Sequence, residues 1–132
     1  MISDINNYFT NIYFHLHPKH QEAISHQSVR ILQTIQKRRY VVIRDIAEQL
    51  SISQNTASEH VKKLVQHGWV IKERSEDDQR KVYLHLTDGG LAVLRKNTEL
   101  DEEKLQNALS KLSVAEREKI KEAFRLLSEV ST

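Results

Sequence analysis

No cysteine occurs anywhere in the sequence. That removes disulfides, thiolate metal sites and any thiol-based redox switch, and it fits a reducing compartment. Proline occurs once and glycine three times. With so few breakers, long periodic stretches argue for mostly helix. An excess of one charge is also missing, since 20 Lys and Arg against 18 Asp and Glu leave a formal net charge of +2. The chain as a whole therefore has no bulk attraction for nucleic acid, and any basic surface has to be local. No stretch approaches the roughly 18 uninterrupted apolar residues of a membrane span. The apolar opening MISDINNYFTNIYFHLH lacks a basic leader and is interrupted by Asp4, Asn6, Asn7 and Asn11, unlike a signal peptide. A soluble cytoplasmic protein with no membrane partner is expected. G-x-S-x-G, H-E-x-x-H and glycine-rich phosphate loops are absent too, so neither enzymatic chemistry nor a cofactor is expected.

What is present fits one globular domain of modest core, with 39% hydrophobic and 29% charged residues among 132. Ile5, Phe9, Ile12, Tyr13 and Leu16 recur at helical spacing until Pro18. A second helix is expected from about Ser25 to Lys37, with Val29, Leu32 and Ile35 inward, followed by the β-branched stretch RRYVV. Then comes IRDIAEQLSISQNTASEHVKKLVQHGWVIKER. Ile46, Ala47 and Leu50 give a short helix its apolar face, and Ser51-Ile52-Ser53 makes a turn. Ile52 plugs the core and Ser53 caps the next helix. Ala57, Val61 and Leu64 line one side of that helix at i, i+4 and i+7, and Gly68 stands where a C′ glycine ends it. Two such helices joined by a three-residue turn form a helix-turn-helix.

Val70 to Arg74 and Lys81 to Leu86 alternate apolar and polar residues around an acidic tip of Glu76, Asp77 and Asp78. Val82, Leu84 and Leu86 share one face, as a half-buried strand requires. A hairpin after a helix-turn-helix is a wing. Thr87 caps a long helix expected to reach about Leu109. Ser113 with Glu116 forms a capping box for a last helix with Ile120, Phe124, Leu127 and Val130 on its apolar face.

Residues 43 to 90 resemble the MarR (multiple antibiotic resistance repressor) family of bacterial regulators. The matching pieces are IRDIAEQLSIS, NTASEHVKKLVQHGWVIKER, the D-x-R of Asp78 and Arg80, and the LT-x-x-G of Leu86, Thr87 and Gly90. The resemblance implies a mainly α fold with a small β-hairpin wing, a winged helix-turn-helix flanked by N- and C-terminal dimerisation helices. The chain divides accordingly, with residues 25–90 as the DNA-binding lobe and 1–24 and 91–132 as dimerisation helices. It also implies a homodimer on pseudo-palindromic double-stranded DNA, a repressor by family habit, often released by a small-molecule effector.

The residues support the DNA part independently. Gln54, Asn55, Thr56, Ser58, Glu59, His60, Lys62 and Lys63 lie opposite the buried face, after Ser53. Amides can pair with adenine, hydroxyls with phosphates or bases, and lysines with the backbone. Any surface helix shows a polar face, so the turn before it and the wing after it carry the assignment. Glu59 departs from the family, where a basic residue is common. It would repel phosphate and could accept from a cytosine amino group. In the wing the basic candidates are Arg74, Arg80 and Lys81. By resemblance, Arg80 enters the minor groove and Asp78 braces its guanidinium, while Glu76 and Asp77 are merely solvated.

Two rival readings remain. His15, His17, His20 and His26 cluster in the sequence near Glu22, and some relatives sense zinc, so a zinc-sensing repressor is one. Pro18 interrupts that segment and the C-terminal helices contain no His, which favours solvated or interfacial histidines. A winged helix serving only as a protein-interaction module is the other. The outer helices carry stripes including Leu105, Leu109, Ile120 and Phe124 that the small central module cannot fully cover, so pairing with a second copy is expected.

Overall fold

The apolar periodicity becomes seven helices and one hairpin over the residues that the computed structural model describes, 1–19 and 23–132. The helices are α1 (Ile2–Leu16), α2 (His26–Lys37), α3 (Ile43–Leu50), α4 (Gln54–Gln66), α5 (Asp88–Thr98), α6 (Glu102–Ser110) and α7 (Val114–Glu129). The strands are β1 (Val70–Arg74) and β2 (Val82–Leu86). They fall into two compact units, one of residues 19–99 and one of residues 1–18 with 100–132.

The unit of residues 19–99 holds the core: Ile31, Leu32 and Ile35 of α2, Ile46, Ala47 and Leu50 of α3, Ala57, Val61 and Leu64 of α4, with Val41, Val70, Leu84 and Leu94. Local signals set where each helix begins and ends. Ser25 Oγ accepts from Ser28 N at 3.1 Å to open α2. The turn between α3 and α4 is made by Ser51 in the left-handed conformation (φ 56°), after which Ile52 packs against the core. Ser53 Oγ accepts from Thr56 N at 3.1 Å and opens α4. At the far end of α4, Gly68 takes φ 79°. Gly68 N donates to Val65 O and Trp69 N to Leu64 O, both at 3.0 Å, the paired bonds of a Schellman stop.

β1 and β2 pair antiparallel with Val70 opposite Leu86, Lys72 opposite Leu84 and Arg74 opposite Val82. The RRYVV stretch adds a single rung, Leu84 N to Val41 O at 2.8 Å. Thr87 then closes the wing onto the core: its N–H donates to Trp69 O at 3.1 Å, its hydroxyl to Gly68 O, and its Oγ1 accepts from Gly90 N at 3.0 Å.

One expectation is corrected here. The helix begun at Thr87 does not run to Leu109; it stops at Thr98, and α6 starts at Glu102. Asn97 Nδ2 and Thr98 Oγ1 donate back to the carbonyls of Val93 and Leu94, at 2.8 and 2.7 Å, and Asp101 caps α6 by accepting from Lys104 N at 3.0 Å. The compact unit itself extends to Glu99. α5 packs on α2 and buries Val93 and Leu94, so it is part of the winged-helix core.

In the other unit, α6 caps the end of α1. Asp101 N donates to Leu16 O and Lys104 Nζ to His17 O, each at 2.8 Å. Ser113 and Glu116 form the expected reciprocal box at the start of α7. No residue of α1, α6 or α7 is buried.

Candidate nucleic-acid interface

α4 turns Ala57, Val61 and Leu64 into the core, and at 100° per residue its outer line is Asn55, Glu59 and Gln66. Gln54, Asn55, Thr56, Glu59, Lys62 and Lys63 are exposed. Ser58 and His60 are not fully opposite the core as expected; both are half-buried, because each lies on a flank of the inward face rather than across from it. Ser53 is exposed, but its hydroxyl is committed, accepting from Thr56 N and donating to Thr56 Oγ1 at 2.9 Å. The amides of Gln54 and Asn55 and the ammonium groups of Lys62 and Lys63 are thus the groups of α4 best placed for a ligand with both base edges and phosphates.

The wing tip is a knot of short-range bonds. Ser75 N donates to Lys81 O at 2.9 Å, Lys81 N to Asp78 O at 2.9 Å, and Asp78 N to Ser75 Oγ at 3.2 Å. The Asp78 carboxylate accepts from Arg80 N at 3.1 Å and, at 3.4 Å, from Arg80 Nε. The shorter bond goes to the backbone. Asp78 thus fixes where Arg80 leaves the turn, and adds one long contact to a guanidinium whose side chain is 94% exposed. Such an exposed pair contributes under about 1 kcal/mol on its own. Arg74 donates to the carbonyl of Gln79, which makes it a clasp across the tip, and Arg74, Arg80 and Lys81 are all exposed. Ser75 and Gln79 escaped the sequence reading. The S-x-x-D spacing of Ser75 and Asp78 was the signal for the first; nothing local marked the second.

The histidines are differently occupied. His17 Nδ1 lies 2.8 Å from Tyr13 O and 3.0 Å from Phe14 O, where it can only donate, and its ring stacks on Tyr13. His15 meets Phe14 edge-on. His26 is the first residue of α2, and His20 and Glu22 lie outside the described residues. Among the described residues no three His, Asp or Glu side chains come together as a metal would require. No helix among them is long and apolar enough to cross a membrane.

Residues 24–82 match the model of the MarR family. The HTH-type transcriptional regulator MgrA of Staphylococcus aureus is 27% identical over 129 residues, covering 96% of this chain and 79% of MgrA. A mutant MepR from a multidrug-resistant S. aureus clinical isolate superposes with a TM-score of 0.61 at 23% identity, covering 96% of each chain. The PcaV transcriptional regulator of Streptomyces coelicolor, solved in complex with its natural ligand, superposes with a TM-score of 0.53 at 21% identity, covering 99% of this chain and 91% of PcaV. At these identities the two structural likenesses establish a common fold.

Proposed function

We propose that this chain, whose residues 24–82 match the MarR family model, is a winged-helix transcriptional regulator that works as a homodimer on a pseudo-palindromic operator, represses transcription there, and is released by a small ligand. The observation that carries the DNA reading is one continuous piece of chain. α4 presents Gln54, Asn55, Lys62 and Lys63 to solvent, and the hairpin that follows it ends in an exposed arginine held by its own turn. A helix of this kind fits the major groove, where its amides meet base edges and its lysines meet phosphates. The wing arginine suits the narrow, electronegative minor groove beside it.

The dimer reading rests on α1 and α7. Phe9 is 59% exposed and Phe124 54%, with Ile5, Ile120 and Leu127 also uncovered in a single copy. A second copy related by a twofold axis would cover these faces and present two recognition helices to two half-sites. Release by a ligand draws on PcaV, whose natural ligand is seen in its structure, and on the lack of any cysteine to carry a redox signal.

The test is selection of bound duplexes from a random pool, followed by affinity across a salt series and sedimentation with and without DNA. A palindromic consensus bound by a dimer, with affinity falling steeply as salt rises, is the expected result. Phe9→Glu with Phe124→Glu should shift the protein toward monomer and abolish binding to the full palindrome. Duplex binding without salt dependence or sequence enrichment would leave a protein-interaction module instead.

A further inference from the structure

An acid stands in the middle of the proposed groove-facing surface. Glu59 is the sixth residue of α4, exposed, and roughly opposite the mean direction of Ala57, Val61 and Leu64. Lys63 lies four residues further on, the spacing and order that favour a helical ion pair, and Lys62 three. Among the described residues Glu59 nevertheless forms no ion pair and no side-chain hydrogen bond. Its carboxylate points into solvent with all its acceptor capacity unused.

On a surface that met only phosphates, such a charge would be a plain liability, since it repels the backbone that the neighbouring lysines attract. Against base edges its chemistry is selective. A carboxylate only accepts hydrogen bonds. In the major groove thymine offers an acceptor and a methyl group, and guanine two acceptors. Adenine places its amino donor beside the N7 acceptor, whereas cytosine offers its N4 amino group alone. We infer that Glu59 is the specificity-determining residue of α4, accepting from a cytosine N4 amino group in each half-site and disfavouring every sequence that lacks it. This inference rests on the operator reading above. It assigns the lysines and Glu59 opposite tasks: Lys62 and Lys63 raise affinity for any duplex, and Glu59 subtracts from all but the matching one.

The experiment compares wild type, Glu59→Ala and Glu59→Gln by duplex selection from a random pool. Affinities are then measured for the selected site, for the site with its C·G pair replaced by T·A, and for an unrelated duplex. Wild type should select a C·G pair at one symmetric position and lose about 5- to 150-fold on its replacement, the range of one good base contact. Glu59→Ala should select no base there, lose less than about 3-fold on the same replacement, and bind the unrelated duplex more tightly than wild type does. That gain should shrink as salt rises. Glu59→Gln should move the selected base to adenine, whose N6 and N7 an amide reads together. If all three proteins select the same base at every position with equal discrimination, Glu59 is only a solvated charge and the inference fails while the operator reading stands. If wild type enriches no sequence at all, the operator reading falls and takes this inference with it.

Discussion

Gly89 and Gly90 are neighbours in the first turn of α5, and replacing each with alanine should move stability in opposite directions. A Cβ on Gly90 would lie 2.0 Å from Trp69 O, 2.9 Å from Trp69 C and 3.1 Å from Trp69 Cα. All three are backbone atoms, so no side chain can swing aside. To reach ordinary contact at 3.4 Å, α5 would have to withdraw by about 1.4 Å. That withdrawal strains the Thr87 bonds to Trp69 O and Gly68 O and loosens Val93 and Leu94 in the core. Overpacking costs about 1–3 kcal/mol and each of the two weakened hydrogen bonds about 0.5–1.5 kcal/mol, so Gly90→Ala should cost about 2–6 kcal/mol. That is a large share of the roughly 5–15 kcal/mol that holds a domain folded. A Cβ on Gly89 meets nothing nearer than 3.7 Å, at Thr87 Oγ1. There alanine only removes glycine's excess freedom in the unfolded chain, and Gly89→Ala should stabilise by up to about 0.5–1 kcal/mol. Urea unfolding followed by far-UV circular dichroism measures both. A Gly90→Ala cost below about 1 kcal/mol, or a Gly89→Ala cost above it, would refute the close-approach reasoning.

In the wing, Asp78→Ala should weaken operator binding although it removes a negative charge, and Arg80→Ala should weaken it more and flatten the salt dependence by about one counterion. Glu76→Ala and Asp77→Ala are the controls; an Asp78→Ala protein that binds as tightly as they do would mean that the acid holds nothing. Peroxide at moderate dose should leave DNA binding intact, because the chain has no cysteine and its one methionine is Met1, and release reversed by thiols would contradict this. For pH, hydrogen bonds from Ser113 hold the Glu116 carboxyl below its ordinary value of 4.5, and Arg125 does the same for Glu122. Both lower the folded-state value, so their support of α7 is present above pH 4.5 and is lost as pH falls from there through the lowered values. An acid titration of helix content should therefore lose part of its amplitude in this range when both are replaced by Gln.

The winged helix was legible because its signals are local. Ser53, Gly68, Thr87 and Ser113 mark helix ends within three or four residues of their partners, and Ala57, Val61 and Leu64 show the core face at a glance. The break at residues 99–101 was missed although Asn97-Thr98 and Asp101-Glu102-Glu103 are stop and start signals, because Leu91, Leu94, Leu105 and Leu109 suggested one continuous stripe. The cost of a side chain at Gly90 could not be read at all: its neighbour Trp69 lies across the wing in sequence, and only the fold brings the backbones together. In the candidate interface the polar face of α4 was legible as a set, but not the division of labour within it. Ser53 and Arg74 turn out to be tied to Thr56 and Gln79, and half-burial of Ser58 and His60 depends on how the helix is rolled against its neighbours.

The two units differ in what can hold them together. Residues 19–99 have a buried core from four helices and the hairpin. α1, α6 and α7 have no buried residue between them, and helices of 15, 9 and 16 residues are marginal in water on propensity alone. Capping by Asp101, Lys104 and Ser113 fixes where these helices start and stop, at about a kilocalorie each, and supplies no apolar burial. Their stability must come from covering Phe9, Phe124 and Leu127, and on the dimer reading a second copy does so. Folding of these helices is then coupled to association, and their apparent stability depends on protein concentration. Dilution should lower the melting temperature of α1 and α7 and leave the winged-helix core nearly unchanged, as read by hydrogen exchange at Phe9 and Phe124 against Leu32 and Leu94. Equal protection of the outer helices at all concentrations, with the protein sedimenting as a monomer, would mean that one copy suffices to hold them.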